Sequence, residues 1–133
     1  MALTAQVFRN ANATINAEGF LQFDIGLPWF RSLPLSAILK LEARVGEAVE
    51  PAQLQLLVEV SWLTIAELAS FGSIEWFVQD LQTVRVQLPT ELVSVGSTSV
   101  ELNFGLMMPS MFMKPGDPIV IHNAATATLN WNQ

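Results

Sequence analysis

The sequence of 133 residues contains no cysteine, no tyrosine and a single histidine, His122. The absence of cysteine excludes disulfides, a thiolate metal site and a cysteine nucleophile. A lone histidine cannot form a metal pair or a nucleophile relay with a second one, so we expect His122 to be structural or to contact another subunit. Phosphate-binding glycine loops, Gly-x-Ser-x-Gly elbows and metal-ligand spacings are also missing. The sequence therefore predicts no catalytic residue, no metal site and no cofactor in this chain.

Charge is scarce as well. Charged residues make up 14% of the chain, against roughly 25% in a typical domain, and the formal net charge is -6. The six basic residues are dispersed rather than clustered. Because nucleic acids and anionic lipids are bound by clustered positive charge, neither is an expected partner.

Long apolar runs are absent too, although hydrophobic residues account for 51% of the chain. No stretch approaches the roughly 20 apolar residues of a membrane-spanning helix, and the N-terminus lacks the pattern of a secretory signal. We therefore expect a cytoplasmic protein with one domain, residues 1–133. A small domain cannot bury so much apolar surface, so we also expect an exposed apolar patch and oligomerisation.

Apolar residues recur at every second position, as they do when one face of a strand is buried. The pattern is clear at residues 20–27, 36–45, 53–62 and 98–106, and weaker at 74–78, 81–88, 119–122 and 126–131. It places Leu39 inward in the second run and continues unbroken through Val60 in the third. Thr64 and Glu67 have capping-box spacing, which predicts a helical turn over residues 64–70. The predicted fold is all-β, an antiparallel β-sandwich or jelly-roll-like domain with at most one short helical turn.

Two segments depart from the strand pattern. Residues 27–36 read Leu-Pro-Trp-Phe-Arg-Ser-Leu-Pro-Leu-Ser, so two prolines bracket Trp29, Phe30 and Arg31. Rigid aromatic side chains beside an arginine are typical of a recognition surface. The alternative is that Trp29 or Phe30 closes the end of the sandwich while Arg31 pairs with a carboxylate of the same chain.

The second segment, residues 107–118, is a proline-bounded stretch that contains four of the five methionines. We predict a loop there, because strand periodicity lapses and flexible methionines suit an adaptable contact surface. The alternative is a loop folded over its own domain. The candidate contact residues are Met108, Met111, Phe112 and Met113.

Paired carboxylates would suggest a glycosidase, which needs two acids at a set separation. The acidic residues fall mostly on outward strand positions or in turns, where a solvated face is the favoured interpretation. We predict no carboxylate-pair site.

Residues 19–47 resemble a known family. A Gly-Phe pair at 19–20 is followed by the Pro-aromatic-aromatic-Arg stretch at 28–31, by Leu-Ser at 35–36 and by an alternating strand that ends in Val-Gly-Glu at 45–47. This order and spacing resemble the small β subunit of bacterial C-glycoside deglycosidases. Trp76 with residues 81–88, and the Gly96 turn before residues 99–106, are similar to the family as well.

The resemblance implies a heteromeric carbon-carbon lyase that acts on 3-oxo-C-glycosides. In that family a larger α subunit, similar to sugar-isomerase barrels, holds a divalent metal (Mn²⁺ or Mg²⁺) and the acid-base groups that enolise the keto sugar and eliminate the aglycone. The β subunit would stabilise the α subunit, border its active site and join it in a hetero-oligomer. Trp29, Phe30, Arg31 and the methionine segment would lie at that interface or at the pocket rim, and the isolated chain would be inactive.

Two other functions are open at this point. A stand-alone carbohydrate-binding module could use Trp29, Trp62, Trp76 or Trp131 as a stacking platform, although the strand patterns at Trp62 and Trp76 favour core positions. A structural β-sandwich subunit of an unrelated assembly is the other.

Overall fold

A computed structural model of the chain describes residues 6–10, 12–29, 31–48, 50–114 and 117–131. For residues 109–114 and 117–118 it describes the backbone alone. The strands are β1 Thr14–Ile15, β2 Phe20–Gly26, β3 Leu33–Pro34, β4 Ile38–Val45, β5 Ala52–Gln53, β6 Gln55–Val58, β7 Ser61–Thr64, β8 Glu75–Trp76, β9 Leu81–Gln87, β10 Ser97–Lys114 and β11 Asp117–Asn130.

The strands form two main antiparallel sheets. One has the order β1-β2-β9-β6-β7 and the other the order β11-β10-β4-β5, while β3 and β8 form a small separate ladder. Alternate residues of both sheets are buried in one hydrophobic cluster, such as Leu21 and Phe23 of β2 with Leu102 and Phe104 of β10. Strand alternation thus supplies both inner layers of the core, and the predicted all-β antiparallel sandwich is confirmed.

Apart from residues 6–7, helical structure in the described part of the chain consists of short 3-10 turns at Leu35–Ala37, Ala66–Ser70 and Thr90–Leu92. The predicted capping box precedes the second of these. The Glu67 carboxylate accepts hydrogen bonds from the Thr64 backbone N–H (2.8 Å) and hydroxyl (3.0 Å), and the Glu67 N–H donates to the Thr64 hydroxyl at 3.4 Å. The other two turns were not predicted, because neither carries a capping pair.

The predicted single strand over residues 53–62 is wrong in its middle. Residues 59–60 form the turn of a hairpin between β6 and β7, in which Val58 pairs with Ser61. Val60 is 93% exposed at the tip of this turn, and Glu59 adopts a positive φ of 57°. A non-glycine residue with positive φ carries no sequence signal here, so the apolar alternation concealed the turn.

The predicted inward position of Leu39 is also wrong. Leu39 is 51% exposed, whereas the preceding Ile38 is buried. Lys40 pairs with Gly105 and Ile38 pairs with Leu106, so β4 carries one extra residue at Leu39. Such a bulge reverses the inward and outward positions on its two sides.

The methionine-rich segment is not a loop. Residues 107–114 continue β10, and residues 117–118 begin β11, so the two strands form a long hairpin. The two separate strands predicted at residues 119–122 and 126–131 are one strand within this hairpin.

Candidate partner interface

The connection between β2 and β3, residues 27–32, is held by hydrogen bonds from three other parts of the chain. The Gln6 side-chain amide donates to the backbone carbonyls of Leu27 and Trp29. The Ser32 hydroxyl accepts a hydrogen bond from the Val78 backbone N–H at 2.9 Å. These bonds fix the backbone on both sides of the aromatic cluster.

Asn123 of β11 is the third anchor. Its side-chain Nδ2 donates to the carbonyl oxygen of Pro28 at 3.0 Å. Pro28 is buried, so this bond satisfies a carbonyl that has little access to water. Asn123 thereby attaches the connection to the long hairpin, and it brings the two segments singled out in the sequence to the same end of the sandwich.

The structure separates the predicted roles of the aromatic cluster. Trp29 is half-buried and packs against the core, whereas Arg31 is exposed. Phe30 lies outside the described residues. The connection therefore combines a tryptophan that packs against the core with an exposed arginine.

Past the end of its pairing with β4, the β10–β11 hairpin continues as a two-stranded arm, residues 107–114 and 117–120. Pairing of β10 with β4 ends at Leu106, and beyond that point only β11 pairs with β10 among the described residues. The arm is about 25 Å long at the rise per residue of a strand. Its sequence is mostly apolar. An isolated two-stranded ribbon is at best marginally stable in water, so further contacts are expected to cover it.

The structure places the four candidate residues of the arm differently. Met108 is 3% exposed and belongs to the core of this chain, so it is not available to a partner in this conformation. Met111, Phe112 and Met113 lie in β10, and their side chains lie outside the described part of the structure. Val120, which pairs with Met107, is exposed.

Two further apolar side chains near the connection were missed in the sequence. Phe77 and Leu81 are both exposed. Phe77 precedes the residue that is bonded to Ser32, and Leu81 pairs with Gly26 at the end of β2. The sequence signal was present for Phe77, which follows the buried Trp76 and so has the opposite phase. Together with Trp29 and Val120 they contribute apolar surface that the core does not absorb.

A second surface feature lies on the outer face of the five-stranded sheet. The guanidinium carbon of Arg85 lies 4.3 Å from the ring centre of Phe20 and 4.4 Å from that of Trp62. The Arg85 Nε donates to the Gln55 side chain at 2.7 Å. The arginine is therefore held flat between two rings, a cation–π arrangement that rigidifies this face.

The polar residues considered for chemistry are spread over the surface. Among the described residues no three His, Cys, Asp or Glu side chains cluster as they would to hold a metal ion. Glu42 pairs with Lys40 at 3.6 Å on the outside of β4, and Glu59 is in the hairpin turn. His122 is exposed in the middle of β11, opposite Gly105.

Two of the four tryptophans, Trp76 and Trp131, are buried and cannot serve as a stacking platform. Trp76 is fully buried and its Nε1 donates to the Asp80 carbonyl at 3.1 Å. Trp131 is buried too, with its Nε1 on the Val93 carbonyl at 3.1 Å. Trp62 is half-exposed, with Arg85 against its ring. The expected core position is thus confirmed for Trp76 and wrong for Trp62.

These features define the class of the chain as an all-β antiparallel sandwich with an anchored aromatic connection and a projecting apolar arm. No known family model matches it. The chain is 38% identical over 88 residues to the 3'-dehydrocarminate deglycosidase beta subunit of a Microbacterium species, and the match covers 65% of this chain and 65% of that protein. This similarity confirms the resemblance to the C-glycoside deglycosidase β-subunit family. No helix in the described part of the chain is long and apolar enough to cross a membrane.

Proposed function

We propose that this chain is the accessory β subunit of a heteromeric C-glycoside deglycosidase, a carbon-carbon lyase of the cytoplasm. The observation that carries the proposal is the 38% identity to a deglycosidase beta subunit. The name of that relative specifies a 3'-dehydro substrate, which agrees with the 3-oxo-C-glycosides implied by the resemblance. The isolated chain would be inactive.

The proposal assigns the chemistry to the α subunit, a barrel similar to sugar isomerases. A ketone at C3 of the sugar acidifies the neighbouring carbon, so that a base can form the enolate and the aglycone can leave by elimination. A divalent metal, Mn²⁺ or Mg²⁺, bound to the α subunit would stabilise the negative charge that develops on the ketone oxygen.

The role proposed for this chain is to stabilise the α subunit and to border its active site. Three observations support it: the exposed Arg31 on a connection anchored by Gln6 and Asn123, the two-stranded arm that needs further contacts, and the apolar surface of Phe77 and Leu81. An arginine and large apolar side chains on a fixed backbone are the groups that dominate binding energy in protein interfaces.

Co-purification tests the proposal. The affinity-tagged chain is co-expressed with the proposed isomerase-like α subunit, the barrel, and the amount of barrel retained is measured. The Arg31→Ala variant is compared with a control variant, Arg44→Ala. Arg44 is also exposed, and it lies on β4 opposite Glu101. We expect Arg31→Ala to raise the dissociation constant about tenfold or more, which corresponds to a loss of roughly 1.4 kcal/mol or more, because arginine is among the residues that contribute most to binding energy in interfaces.

Arg44→Ala should leave the affinity within about twofold of the original chain, since rim or non-interface charges contribute little. Both variants are checked for folding by circular dichroism. A barrel that never binds the tagged chain would refute the proposal. If both variants lost the same amount of affinity for the barrel, Arg31 would have no specific role in the interface, and the loss would be a general effect of removing positive charge.

A further inference from the structure

β11 forms an unusually long free edge of the four-stranded sheet. It has 14 residues, whereas the edge strands β1 and β5 have 2 residues each and β7 has 4. On the side that faces away from β10, only the last residue of β11 pairs with another segment among the described residues, through a parallel bridge between Asn12 and Asn130. In the described part of the chain, no strand therefore pairs with the outer edge of residues 119–129.

Two hydrogen bonds reveal which backbone groups this edge presents. The Asn130 carbonyl accepts from the Ala13 N–H at 2.9 Å and so points away from β10, whereas the Trp131 N–H donates to the Gly96 carbonyl at 2.9 Å and points toward it. Because direction alternates along an antiparallel ladder, the N–H and C=O groups of the even-numbered residues 120–128 point outward. These are unpaired donors and acceptors along the length of the edge.

This edge lacks the features by which proteins usually prevent edge-to-edge pairing. There is no charged residue from position 118 to the end of the sequence, and no proline after Pro118. The register with β10 runs unbroken from Ser97 opposite Asn130 to Met108 opposite Ile119, without a bulge. A long, uncharged edge without a bulge pairs readily with another strand.

We propose that β11 pairs antiparallel with β11 of a second copy of this chain, which joins the two four-stranded sheets into one across a two-fold axis. Charge does not drive association of two copies, but it restricts the surface at which they can meet. Each copy carries a net charge of -6, so two copies repel each other, and the charge-free stretch is the place where they can approach at least electrostatic cost. The proposal does not depend on the deglycosidase function.

The edge is also self-complementary. If the two-fold axis passes through Ala124, His122 lies opposite Thr126 of the other copy, and Val120 lies opposite Thr128. All of these residues direct their backbone N–H and C=O groups toward the other copy. Apart from His122, the side chains at these positions are small or β-branched, which permits close strand approach and suits a sheet. The inner row then places Ile121 against Ala127, which extends the core across the axis. Both side chains are half-buried in one copy, so pairing would cover them further.

The test measures the mass of the full chain by size-exclusion chromatography with light scattering from about 1 to 100 µM, a range that detects micromolar dissociation constants. Thr126→Lys places a charge on the edge, and its matched control is Ser99→Lys, which lies on the same outer face one strand inward, opposite Thr128. Ala124→Pro removes an outward-pointing N–H and serves as a second edge variant, because edge strands tolerate proline where the N–H is not bonded within the sheet.

We expect a dimer for the original chain and for Ser99→Lys, and a dissociation constant at least tenfold higher for both edge variants with unchanged circular dichroism. If one edge variant fails to fold, the other decides. A monomeric original chain at the highest concentration overturns the proposal, as does a dimer that survives both edge changes. Co-expression with the barrel gives the remaining outcome: edge variants that lose the barrel but still dimerise would assign this edge to the partner subunit and overturn the pairing between copies.

Discussion

The hydrogen bond between Asn123 and Pro28 is expected to stabilise both the fold and the connection at residues 27–32. Asn123→Ala removes the donor and leaves the buried Pro28 carbonyl without its 3.0 Å partner. An unsatisfied buried group costs about 1–3 kcal/mol. We therefore expect the urea midpoint of unfolding to fall by about 1 M, at an unchanged slope of roughly 2 kcal/mol per M.

The matched control is Asn103→Ala. Asn103 lies on the outer face of β10, and its amide donates to the neighbouring Glu101 carboxylate at 3.3 Å, where water can replace the lost bond. We expect this change to cost less than about 0.5 kcal/mol, as surface substitutions usually do. The comparison separates the loss of the Pro28 contact from a general effect of removing an amide from this sheet.

Asn123→Asp adds a pH test. The introduced carboxylate cannot donate to the Pro28 carbonyl, but its protonated form can. Repulsion and burial should therefore raise the pKa of the introduced carboxyl in the folded state above its unfolded value of about 3.9. With a raised folded pKa, the added stability is complete below the unfolded pKa and disappears as pH rises through the folded pKa. We expect the variant to approach the original stability only in acid.

Denaturation curves from about pH 3 to pH 7 measure the stability difference between Asn123→Asp and the original chain, which should widen as pH rises. A difference that is constant with pH, or an Asn123→Ala variant as stable as Asn103→Ala, would refute the assigned role of the Asn123 bond.

Three more predictions concern other contacts. The Thr64 backbone N–H bond, followed by the Thr64 hydroxyl bond, lowers the pKa of Glu67; its contribution is present above the unfolded pKa and is lost as pH falls through the folded one. A carboxyl titration by NMR should therefore give a pKa below the ordinary value, and Thr64→Ala, which removes the hydroxyl bond but keeps the backbone N–H bond, should raise this pKa only part of the way back. Arg85→Lys should lower stability by about 0.5–1 kcal/mol at neutral pH, because an ammonium cannot stack between the two flanking rings; an unchanged melting curve would count against the cation–π contacts. A Cβ at Gly26 would overlap the Gln6 carbonyl, so Gly26→Ala should release the N-terminal segment and speed its proteolysis, and equal cleavage rates would contradict that packing.

The main sheets were predictable because alternation records burial directly. The inward residues of β2 and of β10 up to Leu106 were assigned correctly, since each of these strands has one solvent-facing side and one buried side. Val60 and Leu39 were assigned wrongly for one shared reason. A turn or a bulge resets the alternation, and the positive φ at Glu59 and the extra residue at Leu39 depend on the pairing strand rather than on local composition.

The candidate interface was predictable only in part. The sequence identified the aromatic connection and the methionine segment separately, but the Asn123 bond that joins them spans 95 residues. Composition made the methionine segment look like a loop, whereas pairing with residues 117–120 makes it a strand. Phe77 and Arg85 acquire their roles from neighbours on other strands, which no local pattern records.

The central claim is that this chain completes a deglycosidase whose chemistry belongs to another subunit. The most direct measurement is the rate of carbon-carbon bond cleavage of a 3-oxo-C-glycoside by the purified barrel, by this chain, and by the two combined in equal amounts. We predict no cleavage by this chain alone and a rate for the combination at least tenfold above that of the barrel alone. Equal rates for the barrel with and without this chain would contradict the account.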